Sequence, residues 1–132
     1  MTIELTLLAW TLVLALVQVL LPAMWRNRET GIDYNTGPRD EPGPPVGIVT
    51  GRLQRAQANL FETLPVFAAV VLIAHIAGRE GALTLWGAGL YLAARIVYVP
   101  LYAMGVPYLR SLAWSVSLLG LVLILFAVLA PA

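Results

Sequence analysis

The chain has 132 residues, 60% of them hydrophobic and 11% charged, with a formal net charge of +1. That composition belongs to the membrane class, and a charge so near zero gives a nucleic-acid partner no electrostatic support. Cysteine is absent and there is one histidine, which excludes a disulfide framework, a protein thiol nucleophile and a His-cluster metal site; no metal is expected.

Residues 3–24 form a near-continuous apolar run, long enough to cross the hydrocarbon core. Its N-terminal end carries Glu4 and no basic group, and the run is too long for a leader, so it reads as a retained first span rather than a cleaved leader, with Trp25 at the interface. Residues 26–50 are charged, rich in Gly and Pro and without periodicity. Breaker signals at Tyr34-Asn-Thr-Gly-Pro38 and Glu41-Pro-Gly-Pro-Pro45 mark an aqueous loop. The second span is expected over 51–77. A polar turn at Gly78-Arg79-Glu80-Gly81 leads to a third over 82–103, and Met104-Gly-Val-Pro107 leads to a fourth over 107–129, opened by a proline. The fold class is an all-α membrane protein, a four-transmembrane-helix bundle in a single domain. Arg26, Arg28, Arg39, Arg52 and Arg110 lie on or beside the first and third loops, whereas the opposite side carries only Arg79. Positive-inside counting puts the first side, and the loop 26–50, in the cytoplasm and both termini outside.

Two of these spans carry polar stripes. At roughly 100° per residue, Arg52, Arg55, Asn59 and Glu62 fall within an arc of about 80° on the second span. Tyr91, Arg95, Tyr98 and Tyr102 share one face of the third. An ionised group near the membrane centre costs roughly 3 kcal/mol or more, so both stripes must face protein, water or a ligand. With a rise of 1.5 Å per residue, Glu62 lies about 15 Å from Arg52, and Arg95 roughly 12 Å from the end of its helix. That places Glu62 and Arg95 at similar depth and makes them each other's expected partner. Arg52, Arg55, Arg95 and Arg110 outnumber Glu62, and the excess favours an anionic ligand. Four short spans enclose such a chamber poorly, so an oligomer with the site between subunits is expected. All the basic residues are arginine, the better side chain for bidentate contacts with carboxylates and phosphates.

The patterns Arg52-x-x-Arg55-Ala-Gln-Ala-Asn59-x-x-Glu62-x-x-Pro65 and Tyr91-Leu-x-Ala-Arg95-x-x-Tyr98-x-x-x-Tyr102 resemble the MAPEG superfamily. Its members are the microsomal glutathione transferases, leukotriene synthases and prostaglandin E synthases. The long loop with Asn35-Thr-Gly-Pro-Arg-Asp-Glu-Pro42 is similar to bacterial branches. The resemblance implies a homotrimer in the bacterial inner membrane, with glutathione as co-substrate bound between neighbours on the cytoplasmic side. It implies that Arg55, Asn59, Glu62, Arg95, Tyr98 and Tyr102 hold the tripeptide, with Arg52 beside them and Gln57, on another helical face, reaching from a second subunit. Arg110 corresponds, after a one-residue shift, to the arginine that stabilises the thiolate. Thr63 departs from the pattern, standing where glutathione-using members often have Tyr, and Pro100 interrupts the third span.

Glutathione carries a net charge of about −1, and its thiolate about −2, which suits an arginine cage. A nearby Arg lowers a thiol pKa by favouring the ionised form. The implied activity is a transferase or peroxidase acting on lipophilic electrophiles or lipid hydroperoxides that arrive through membrane lipid. Two other classes compete. One is a catalytically inactive protein of the same fold that binds anionic lipid or a membrane partner. The other is a four-span transporter centred on Glu62, which the arginines at its depth disfavour by holding the carboxylate ionised.

Overall fold

The computed structural model describes residues 1–131. Among them the chain forms α1 (Ile3–Thr30), α2 (Ile32–Thr36), α3 (Ile48–Ile76), α4 (Ala82–Ala103) and α5 (Pro107–Leu129), with no strand. All but α2 are long and apolar enough to cross a membrane. The third and fourth spans have the bounds expected from the sequence, whereas the first two are longer.

The loop expected over 26–50 is the main correction. Residues 26–30 continue α1, 32–36 form α2, and 48–50 already belong to α3. Polar residues there mark where α1 leaves the hydrocarbon, not where the helix stops. The guanidinium of Arg28 lies 4.7 Å from the centre of the Trp25 ring, and Arg26 pairs with Glu29 at 2.9 Å. Gly31 ends the helix at φ 85°, donating its N–H to Asn27 O at 2.9 Å. The strap from Gly31 to Gly47 is stapled to α1. Arg26 donates to Pro44 O at 2.5 Å. Asn35 donates to Asn27 Oδ1 at 2.7 Å and accepts from the Thr30 hydroxyl at 2.7 Å. Glu29 accepts from the Gly47 N–H at 3.0 Å and from the Thr50 hydroxyl. A side chain of α1 therefore satisfies groups at the start of α3, whose own cap residue is a glycine without a side chain to do so.

Inside the bundle, Leu8, Thr11, Ala15, Gln18 and Pro22 form the buried face of α1, at the spacing of a single helical stripe. Phe67 of α3 stacks on Tyr91 of α4, with ring centres 4.0 Å apart. Lipid is as apolar as leucine, so helices in a bilayer associate through close packing and interhelical hydrogen bonds. Helices α4 and α5 show this most directly at Gly87 and Gly120. A methyl group on Gly120 would lie 2.5 Å from Gly87 O and 2.9 Å from Tyr91 N, both backbone atoms. Leu16, Leu20, Trp86 and Phe126 point outward, as lipid-facing side chains do.

At the end remote from the strap, the Thr2 hydroxyl donates to Glu80 at 2.7 Å, and His75 Nδ1 lies 3.1 Å from the same carboxylate. Thr84 donates to the buried Glu4 at 2.8 Å, and Arg79 donates to Ala130 O at 2.7 Å. The α3–α4 turn is thereby tied to the starts of α1 and α4 and to the end of α5.

Two expectations follow from this packing. Gly120→Ala should cost about 1–3 kcal/mol of stability through overpacking against backbone, whereas Gly89→Ala, with nothing within 4 Å, should not; unfolding in detergent compares them, and equal stability would contradict the close contact. The Thr2 hydrogen bond holds the Glu80 carboxyl below its ordinary range, outweighing the opposing effect of desolvation, with His75 contributing in the same direction as Thr2. A depressed folded-state pKa means that the tie is fully present above the ordinary carboxyl range and is lost as pH falls through the lowered value. Hydrogen exchange in the first turn of α1 should therefore accelerate only in acid, and at neutral pH in Glu80→Gln; exchange insensitive to both would refute the tie.

Candidate functional site

Helices α3 and α4 run antiparallel, and their polar stripes meet in a ladder. Thr63 and the Tyr91 hydroxyl lie 2.8 Å apart. Arg95 Nη1 donates to Asn59 Oδ1 at 2.8 Å. Arg55 Nε donates to the Tyr102 hydroxyl at 3.2 Å, and Arg52 Nη1 to Ala103 O at 3.2 Å. Asn59 and Thr63 are one turn apart, as are Tyr91 and Arg95, so each step along one helix has a counterpart on the other.

The ladder corrects the expected Glu62–Arg95 ion pair. Among the described residues the only ion pairs are Arg26–Glu29 and His75–Glu80. Asn59, not Glu62, occupies the rung facing Arg95. Glu62 lies roughly 60° around the helix from Asn59 and is exposed on the single chain. Distance along a helix does not choose the partner; rotation about the helix axis decides which side chain meets which.

Arg95 is 1% exposed. Its Nη1 has Asn59 as partner and its Cζ lies 4.4 Å from the centre of the Tyr98 ring. Its Nε and Nη2 are buried with no hydrogen-bond partner. A guanidinium offers five donors, and leaving a charged one unmatched away from water is among the costlier arrangements a protein can hold. Helix α5 adds a second cation at the same end: the Arg110 guanidinium lies 4.7 Å from the Tyr102 ring centre, and Arg55 approaches that ring at 5.7 Å. Tyr98 and Tyr102 meet edge to face at 5.6 Å. A cavity of 180 Å³ is lined by Asn59, Tyr98, Arg110, Ser111 and Trp114.

The structure thus brings together Arg55, Asn59, Arg95, Tyr98, Tyr102 and Arg110. It does not bring Arg52 or Gln57 into the same cluster, and Glu62 stands near enough for its charge to act on Arg95 without forming an ion pair. Arg52 sits at the C-terminus of α4, where a cation meets unpaired carbonyls and the negative end of the helix dipole. Gln57 faces a separate cavity beside α1. Ser111 and Trp114 were not singled out as site residues. Their signal was available in the sequence: Trp114 is one helical turn beyond Arg110 and so shares its face. Thr63, the departure from the expected tyrosine, is bonded to the Tyr91 phenol, so a phenolic oxygen stands at that level on α4 instead.

The polar ladder makes an unusual stability prediction. Asn59→Leu, which strips Arg95 of its one acceptor, should cost about 2 kcal/mol. Arg95→Met, which removes the buried cation, should cost less or even stabilise. Chemical unfolding in detergent measures both; a neutral Asn59→Leu beside a crippled Arg95→Met would show that Arg95 is satisfied in some other way.

Neither the curated proteins nor the solved structures include a match to this chain. A family model does match, over residues 7–130, and it describes the MAPEG family. The four apolar helices and this near-complete match agree: the protein is an integral membrane protein and belongs to the MAPEG family.

Proposed function

We propose that the protein binds glutathione and uses its thiolate in a transferase or peroxidase reaction on lipophilic substrates. MAPEG membership makes this chemistry available, since the family includes glutathione-dependent transferases and peroxidases. The observation that carries the reading is Arg95: a buried cation with two unpartnered donors, set among Asn59 and two tyrosines. A carboxylate is the group whose two oxygens match adjacent guanidinium donors. Arg95, Asn59, Tyr98, Tyr102 and Arg55 would hold the peptide, and Glu62 would receive its ammonium.

Glu62 and Arg55 are exposed on a single chain that spans the bilayer, a costly position unless another surface covers it. A homotrimer supplies that surface, with Gln57 of a neighbour completing the site. The arginine-rich end faces the cytoplasm of a bacterial inner membrane by the positive-inside rule, where glutathione is at hand.

Arg110 lines the cavity together with Trp114. Its charge would favour the deprotonated sulfur, as cations beside thiols do. The sulfur lone pair then forms a C–S bond to an electrophile while the displaced group departs with the electron pair and takes up a proton. In the peroxidase variant the thiolate attacks a hydroperoxide oxygen, the O–O bond breaks with the alkoxide leaving and taking up a proton to become the alcohol, and a second glutathione attacks the resulting sulfenic acid to form the disulfide with release of water.

Adding glutathione to the purified protein tests the reading. Thiolate absorbance should appear at neutral pH; Arg110→Ala should abolish it while retaining binding, and Arg95→Met should weaken binding itself. Absence of glutathione affinity in the wild-type protein would overturn the proposal.

A further inference from the structure

Among the described residues, the buried side-chain atoms left without a hydrogen-bond partner belong to two residues: Nε and Nη2 of Arg95, and both amide atoms of Gln18. Each residue is 1% exposed, so bulk solvent reaches neither. A buried amide with no partner is costly, and the site described above makes no use of Gln18.

Helix register relates the two. As the first and third spans, α1 and α4 run in the same direction, and Thr84 of α4 donates to Glu4 of α1 at 2.8 Å. That bond fixes a common level and a common facing direction. Gln18 lies about 21 Å along α1 from Glu4, and Tyr98 lies about 21 Å along α4 from Thr84, with Arg95 about one turn short of it. By the same periodicity, Gln18 and Tyr98 are roughly 40°, and Arg95 roughly 20°, from the directions in which Glu4 and Thr84 meet. Pro22 and Pro100 come after these residues, so neither interrupts the count. The Arg95 guanidinium reaches the Tyr98 ring, its Cζ 4.4 Å from the ring centre, and Tyr98 is in register with Gln18. Ala15, buried and small, stands in register with Arg95 itself and leaves room opposite it.

We propose that Gln18 faces Arg95 across the α1–α4 interface and holds it through an internal water. The donor and acceptor types select the occupant. The amide oxygen needs a donor, whereas the amide nitrogen and the guanidinium need acceptors. An anion serves only the second need, and water serves both. Buried waters make about three hydrogen bonds to such groups. A carboxylate on Nε and one Nη2 hydrogen leaves the other Nη2 hydrogen for the water, so the two occupants coexist. Gln18 is then a positioning residue, which hydrates the Arg95 charge and aims its remaining donors before the anion arrives. Its effect on glutathione rests on the function proposed above; its contact with Arg95 does not.

The test uses the full-length protein in detergent. Gln18→Glu sets a carboxylate opposite Arg95, so it should fold in the wild-type background, where a counter-charge awaits it. In Arg95→Met the same change leaves a buried carboxylate unpaired, and its cost in the unfolding equilibrium constant should be greater by about tenfold or more; a double variant that alone fails to fold is that result in its extreme form. Equal losses in the two backgrounds, or a Gln18→Glu single variant that does not fold, would overturn the contact whatever glutathione does. Gln18→Leu tests the positioning role. It should weaken glutathione binding by about tenfold while thiolate absorbance at saturation stays unchanged, since Arg110 is untouched. Unchanged affinity, or thiolate absorbance lost at saturation, would overturn that role. If the wild-type protein does not bind glutathione, the catalytic reading and the positioning role fail together, and the stability comparison still decides the contact. An experimental structure should show a water within hydrogen-bond distance of both side chains; a direct Gln18–Arg95 bond, or apolar packing between them, would overturn the water.

Discussion

The candidate site centres on one guanidinium. Arg95 is buried at bilayer depth against Asn59 and the face of Tyr98, with two of its donors unpaired. No carboxylate among the described residues comes within salt-bridge distance of it. An apolar side chain in its place would give a simpler core, since replacing a buried charge by hydrophobic groups is often neutral or better for stability. The proposed anion site rests on this arrangement, a buried charge with two donors left unmatched.

The rest of the bundle sets this arrangement in position. The antiparallel ladder from Thr63–Tyr91 to Arg52–Ala103 fixes the register of α3 against α4. The glycine contact between α4 and α5 lets those backbones approach closely. Arg110 and Trp114 thereby reach the cavity shared with Asn59 and Tyr98. Side chains of α1 staple the strap, and Glu29 anchors the start of α3, the helix carrying Arg55 and Asn59. Both ion pairs lie at the ends of the bundle, whereas Arg95 lies between them without one.

Much of this was legible in the residue order. Hydropathy located the spans, and the third and fourth were right to the residue because Gly81 and Pro107 punctuate them. The two stripes and the cluster of Arg55, Asn59, Arg95, Tyr98, Tyr102 and Arg110 followed from helical periodicity together with the family pattern. Three features were not legible. The loop over 26–50 reads as breaker-rich, yet Arg26, Glu29 and Asn35 order it through contacts far apart in sequence. The Glu62–Arg95 pair failed because depth along a helix does not fix azimuth; only the packing of α3 on α4 shows that Asn59 takes the rung. Gln18 was likewise unforeseen: its amide is buried with neither atom bonded, four residues before Pro22, whose missing N–H frees the Gln18 carbonyl.

An experimental structure of the assembled protein with glutathione tests the central claim most directly, through the atoms nearest Arg95. The account predicts a carboxylate oxygen about 2.7–3.2 Å from Nε and Nη2, with Asn59 still bound to Nη1. Glutathione lodged elsewhere, with those two donors facing only a carboxylate of the protein itself, would contradict it.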